Sequence, residues 1–116
     1  MSLNAELRRA LACTGLSVVP HADARARNRC LVFSFTSVPA QWADNRPLLM
    51  MCLVQVHLFL PEGENGLALR GEILAALNDA GWKDAEETDA GDGRQQHYVY
   101  EFETARRKDD IYGDTH

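Results

Sequence analysis

A run of thirteen residues, Leu48 to Leu60, limits the possible folds of this chain more than any other segment. Alternate residues of a strand point to opposite faces of a sheet. Read as one long strand, the run puts apolar side chains alone on its first face: Leu48, Met50, Cys52, Val54, Val56, Leu58 and Leu60. Its second face is apolar at first and then mixed: Leu49, Met51 and Leu53, followed by Gln55, His57 and Phe59.

We call Leu49, Met51 and Leu53 the strand patch. A single layer of helices covers one face of a sheet, so another part must cover this patch. The sequence leaves two possibilities open: loops of the same chain, or another subunit. Contiguous exposed apolar residues usually mark contact sites. We take the strand patch as a candidate subunit interface.

The other segments predict two helices and three more strands. Apolar residues at helical spacing predict a helix over about residues 4–14 and a second over about 65–80. The core stripe of the second helix is Leu69, Ile73, Leu74, Leu77 and Ala80. The further strands are predicted over about residues 31–36, 82–88 and 96–103, and a connection with turn residues over 39–47.

This order of elements, α-β-β-α-β-β, predicts an α+β fold in two layers. Two helices pack on one face of a mainly antiparallel four-stranded sheet. The chain has 116 residues, enough for one domain. We expect that domain to cover residues 1–104, and residues 105–116 to form a charged, mobile tail.

Composition excludes several classes of function. The formal net charge of −5 argues against nucleic acid as the main partner. The longest apolar run, Leu48 to Val54, is far shorter than the ~20 residues of a membrane-spanning helix. Three cysteines without C-x-x-C spacing indicate buried thiols in a reducing compartment. The first residues do not have the pattern of a signal peptide, so we expect a cytoplasmic protein.

No catalytic or metal-binding motif is recognisable. The four histidines, His21, His57, His97 and His116, do not have the spacing of zinc ligands. The segment Asp89 to Gly93 has neither the register nor the closing glutamate of a calcium loop. We therefore expect a protein that is not an enzyme, with no catalytic, cofactor-binding or metal-binding residues.

Three arginines alternate in a polar segment after Pro20: Arg25, Arg27 and Arg29. In an extended conformation all three project to one side, where they would meet an acidic partner surface or phosphates. A solvated loop is the alternative. We include the three arginines with the strand patch among the candidate interface residues.

Three short stretches together resemble a known family. They are Trp42-Ala-Asp-Asn45 before a long strand that ends in Val54-Gln-Val-His-Leu-Phe59, a helix that ends in Leu77-Asn-Asp-Ala-Gly-Trp82, and a final strand with Tyr98-Val-Tyr-Glu-Phe-Glu103. In this order they resemble the small tail-completion, or tail-terminator, proteins of long-tailed bacteriophages and prophages, which include minor tail proteins. The resemblance covers roughly residues 3–104.

The resemblance implies a virion structural protein. Such subunits form a ring, usually hexameric, at the head-proximal end of the tail tube, and the ring joins the tube to the head. The implied partners are further copies of the chain and tail-tube or head-connector proteins, without a cofactor or a membrane. The implied locations are the bacterial cytoplasm during assembly and then the virion tail. Asp44 and Asn45 would shape the turn before the long strand.

A second function remains open on sequence grounds. A small dimeric α+β module that binds a ligand or regulates another protein would associate through its sheet. It would hold its ligand in a pocket under Trp82 and Tyr98.

Overall fold

The computed structural model describes residues 2–19 and 29–112, apart from the side chains of Ala43, Pro47, Leu48 and Tyr112. Its regular elements are three helices, α1 (Leu3–Leu11), α2 (Leu67–Asp79) and α3 (Lys108–Tyr112), and four strands, β1 (Cys30–Ala43), β2 (Arg46–Pro61), β3 (Glu86–Asp89) and β4 (Gln95–Arg106). In chain order, α1 comes before β1, α2 lies between β2 and β3, and α3 follows β4.

The four strands form one antiparallel sheet in the order β1-β2-β4-β3. The long strand β2 is central, with β1 on one side and β4 on the other. Its register pairs Val56 with Phe33 of β1 and with Tyr100 of β4. Because side chains alternate along a strand, every second residue of β1, β2 and β4, counted from this row, lies on the same face of the sheet.

The core lies between this face and the helices. From β2 it contains Cys52, Val54, Val56, Leu58 and Leu60, none more than 1% exposed. The helices add apolar side chains to this core. They are Leu3, Leu7 and Leu11 from α1, Ile73 and Leu77 from α2, and Ile111 from α3. Ser2 caps α1, because its side-chain oxygen accepts a hydrogen bond from the Ala5 N–H at 3.2 Å.

The predicted α+β fold and the antiparallel four-stranded sheet are confirmed. The connection predicted over residues 39–47 is wrong, since β1 runs to Ala43 and only Asp44 and Asn45 separate it from β2. Proline is tolerated in a strand that lacks a neighbour on one side. Strand β1 is an edge of the sheet and its register shifts directly after Pro39, which is a setting in which a strand accommodates proline.

Two further expectations need correction. Ala80 is exposed and does not belong to the core stripe of α2. Ala105 and Arg106 complete β4, and α3 follows with Ile111 buried at 1% exposure, so the described part of the predicted tail packs on the domain. A five-residue helix gives too little periodicity to be predicted from sequence. Within the described ranges, none of the helices has the length and apolar character needed to cross a membrane.

A polar network ties α2 to the short edge strand β3. Arg70 donates two hydrogen bonds to Glu87, from Nη2 at 2.6 Å and from Nε at 3.2 Å. The hydroxyl of Tyr100 donates to the same carboxylate at 2.6 Å. The guanidinium carbon of Arg70 also lies 4.2 Å from the centroid of the Tyr98 ring. The network joins one helix to two strands.

The network shifts the pKa values of its members. The hydrogen bond from Arg70 is the main cause that holds the pKa of Glu87 below its ordinary 4.5; partial burial opposes it and the Tyr100 hydroxyl supports it. Burial, together with the neighbouring Glu87 carboxylate, raises the pKa of Tyr100. The ionised carboxylate is therefore the form that the folded chain favours.

We expect Glu87→Gln to lower the free energy of unfolding at neutral pH by on the order of 1–2 kcal/mol, because hydrogen bonds to a charged group are lost. The folded-state pKa of Glu87 lies below the unfolded value, so its contribution is present above about pH 5 and is lost as pH falls through the folded pKa. The difference from the wild type should therefore shrink as the pH is lowered below the unfolded-state pKa of the carboxyl group. Urea unfolding across this range measures it. Glu72→Gln, on the exposed side of α2, is the control, and a pH-independent difference would contradict the prediction.

Candidate interaction surface

The sheet face opposite the helices contains the strand patch. Leu53 is 44% exposed, and Met51 and Leu49 are half-buried. Val38 of β1 pairs with Met51 and is 51% exposed, so it extends the patch across the neighbouring strand. The described residues of the chain thus leave Leu53 and Val38 exposed and cover Leu49 and Met51 in part.

The rest of this face divides into two zones. At the end far from the strand patch, Val19, Cys30, Val32 and Phe59 form a small buried cluster. Between the two apolar zones lies a concavity of about 470 Å³, lined by polar and acidic residues that include Ser34, Gln55, Glu86, Glu101 and Glu103. The strand patch is therefore bounded by carboxylates on one side, and on its other side it continues toward the β1–β2 turn.

Beyond the strand patch, the β1–β2 hairpin extends past the rest of the sheet. The last pair between β2 and β4 joins Met50 to Arg106, so residues 39–49 form a two-stranded extension that we call the hairpin arm. At about 3.3 Å per residue the arm projects on the order of 15–20 Å. It makes the molecule elongated, with extents of 54 × 27 × 24 Å. Trp42, on the arm, is 62% exposed.

The turn of the arm is built from Asp44 and Asn45. Both have positive φ, 51° and 62°, in the left-handed region. A two-residue hairpin turn with both residues in this region follows the twist of the strands, and Asp and Asn tolerate it better than most residues. The two residues therefore lie at the position that the resemblance implied for them.

The predicted arginine group is only partly described. Arg25 and Arg27 lie outside the described residues. Arg29 is exposed, and its guanidinium donates to Glu64 Oε2 from Nη2 at 2.9 Å and from Nε at 3.1 Å. This ion pair joins the start of β1 to the loop before α2. Arg29 thus has an acidic partner within its own chain.

Two histidines of the open face contact each other. The Nδ1 of His57 and the Nε2 of His97 are 2.8 Å apart, and the Nε2 of His57 is 3.1 Å from Gln55 Oε1. The His97 ring also stacks on Phe59, with 4.2 Å between centroids. If Gln55 accepts from His57 Nε2–H, the Nδ1 of a neutral His57 accepts from His97. The imidazole rings of His57 and His97 are thereby held by each other and by Gln55 and Phe59 on the open face of the sheet.

The described cysteines differ in environment. Cys30 and Cys52 are buried, whereas Cys13 is exposed at the end of α1. Burial raises the pKa of the Cys52 thiol, although the positive charge of Arg106 partly opposes this. Among the described residues, no group of three or more His, Cys, Asp or Glu side chains is arranged to hold a metal ion.

Trp82 and Tyr98, under which the ligand of a binding module was expected, lie far apart along the sheet. Trp82 donates from Nε1 to Thr104 Oγ1 at 3.3 Å and stacks on Phe102 at 4.8 Å. Tyr98 lies six residues from Thr104 along β4, which corresponds to about 20 Å. The two aromatic side chains therefore occupy separate parts of the helix-facing side.

The alternation of residues along the long strand predicts the strand patch, but nothing in the sequence analysis places Trp42 on an exposed surface. From sequence, Trp42 lies in the predicted connection over residues 39–47, next to Asp44 and Asn45. The sequence signal that could have indicated the exposed arm is an aromatic residue close to a two-residue hairpin turn. The exposed arm became visible only when the ends of β1 and β4 were known.

We expect the two tryptophans to respond differently to substitution. Trp82 is 5% exposed, so Trp82→Ala should lower the free energy of unfolding by about 3–5 kcal/mol. Trp42→Ala removes an exposed side chain and should change it by less than about 0.5 kcal/mol. Urea unfolding of the two variants under dilute conditions tests this. A large loss for Trp42→Ala would mean that this residue stabilises the single subunit.

No protein-family model matches this chain, and no curated protein matches it. The function must therefore be inferred from the molecule's own surface, in which the hairpin arm and the strand patch are the conspicuous features.

Proposed function

We propose that this chain is a structural subunit that assembles with further copies of itself. In the finer form that the sequence resemblance implies, the assembly is a ring, usually hexameric, at the head-proximal end of a phage or prophage tail tube. The ring completes the tube and joins it to a head-connector protein. The proposal includes no catalytic role and no cofactor.

One observation carries the proposal: exposed apolar side chains continue from the sheet onto the hairpin arm. Leu53 and Val38 lie on the open face, at 44% and 51% exposure, and Trp42 follows on the arm at 62%. Removing apolar surface from water stabilises a complex by about 25 cal/mol per Å². Exposed apolar side chains grouped at one end of a molecule favour contact with another protein.

The shape of the molecule favours a ring over a symmetric pair. The arm projects at one end of a molecule whose longest extent, arm included, is 54 Å, and we propose that it contacts a different surface of its neighbour. Contacts between two different surfaces repeat from copy to copy and close into a ring when the rotation permits. A net charge of −5 also fits a protein partner better than a nucleic-acid backbone.

We expect Met51→Glu to give a folded protein that no longer associates, because a carboxylate in the strand patch would have to be desolvated at the contact. Light scattering over a range of concentrations measures association, and circular dichroism measures folding. Thr88→Glu is the matched control, since it adds the same charge to an exposed position on β3. If Met51→Glu fails to fold, the strand patch is ordinary core and the assembly proposal is wrong.

The finer proposal needs the tail itself. Purified tail tubes mixed with the chain should show added density at one end by electron microscopy, and Met51→Glu should not add it. A stable dimer at all concentrations, with bare tube ends, would instead favour the dimeric binding module.

A further inference from the structure

A groove on the opposite side of the molecule has the properties of a receptor for an aromatic side chain. It runs between α1 and the C-terminal part of α2 and encloses about 540 Å³. Its lining is made mainly of small or apolar side chains: Ala10, Cys13, Ala76, Ala80 and the edge of Trp82. Small residues leave a depression between two helices into which a large ring fits without displacing the backbone.

We infer that this groove receives the hairpin arm of a second copy of this chain, with Trp42 as the inserted side chain. The inference rests on the proposed function, because it names the surfaces through which the copies assemble. Large aromatic side chains that fill a pocket on the partner supply much of the energy of protein interfaces. Trp42 is the most exposed aromatic side chain among the described residues, and the groove is an apolar depression on another part of the surface.

The charges on the two surfaces are complementary. On the arm, Trp42 is followed by the exposed Asp44 and Arg46. Three charged residues line the groove: Glu6, which pairs with Arg106, and the exposed Arg9 from α1 and Asp79 from the end of α2. None of the four exposed charged side chains takes part in an ion pair within the described chain. Docking would bring Asp44 toward Arg9 and Arg46 toward Asp79.

Arm and groove lie on different parts of the molecule, so their contact is heterologous. Each copy offers one arm and one groove, and both are used when the copies follow one another around a closed ring or along an open chain. A symmetric dimer would require two arms to cross between the same two molecules. The strand patch lies at the base of the arm and would be covered by the same neighbour.

A cysteine already present in the groove makes the contact testable. Cys13 is exposed and lines the groove. Gln41→Cys puts a thiol beside Trp42 and leaves that side chain in place. A disulfide forms only when the two Cα atoms come within about 7 Å of each other. Treatment with diamide, a thiol oxidant, followed by a non-reducing gel and mass spectrometry of the linked peptides, detects the bond.

We expect Gln41→Cys to give a ladder of species larger than a dimer, with position 41 linked to Cys13. The wild type has one exposed described thiol and should stop at a dimer. Glu62→Cys, at an exposed site in the loop before α2, is the matched control and should give no comparable link to Cys13. Adding Cys13→Ser to Gln41→Cys should abolish the ladder.

The absence of a link between position 41 and Cys13, or an equal yield from Glu62→Cys, would overturn the arm-in-groove contact. If the wild type still assembles by light scattering in that case, the proposed function stands and only its contact surfaces are wrong. If the wild type also stays monomeric, alone and with tail tubes, the proposed function fails as well. If the groove binds a segment of another protein instead, the arm-in-groove contact is wrong, and assembly of the wild type still decides whether the proposed function stands.

Charge exchange gives a second readout on the same contact. Arg46→Asp and Asp79→Arg should each reduce the yield of linked species from Gln41→Cys severalfold, because each puts like charges together. The double exchange restores opposite charges and should recover the yield. Arginine at position 79 also suits the end of a helix, so loss of folding is not expected there. Two single losses without recovery in the double variant would contradict the pairing of Arg46 with Asp79.

Discussion

The register of the β1–β2 hairpin is the constraint on which the rest of the structure depends. Side chains alternate along a strand, so a shift of one residue would move the core residues of β2 to solvent. The turn at Asp44 and Asn45 starts the pairing, the register shifts at Gln41, and beyond it the row of Val56, Tyr100 and the half-buried Phe33 maintains the register. Helices, strand patch and arm all take their positions from it.

Much of the fold could be predicted because its signals are local. The alternation from Cys52 to Leu60 gave the helix-facing side of the sheet, and helical spacing gave α1 and α2. The extension of β1 through Pro39 could not be predicted, because proline usually indicates a loop and is accommodated here by the edge position. The docking of Ile111 depends on tertiary packing, and a five-residue helix is too short to show a periodic pattern in the sequence.

The candidate site was predictable to the same extent. The strand patch followed from alternation alone, and Asp44 and Asn45 lie in the turn. Trp42 was not recognised as a surface residue, because its exposure depends on where β4 ends. The groove joins residues of α1 with residues about 65 positions later in α2, and no local pattern links segments so far apart.

The short edge strand β3 has a consequence for how copies of this chain can pair edge to edge. Unpaired strand edges can recruit other chains into growing fibrils, and natural proteins prevent this with charged residues and short edges. Strand β3 has four residues, three of them acidic: Glu86, Glu87 and Asp89. Two such edges repel each other, so lateral extension of one continuous sheet is disfavoured and the chain avoids fibrillar aggregation at this side.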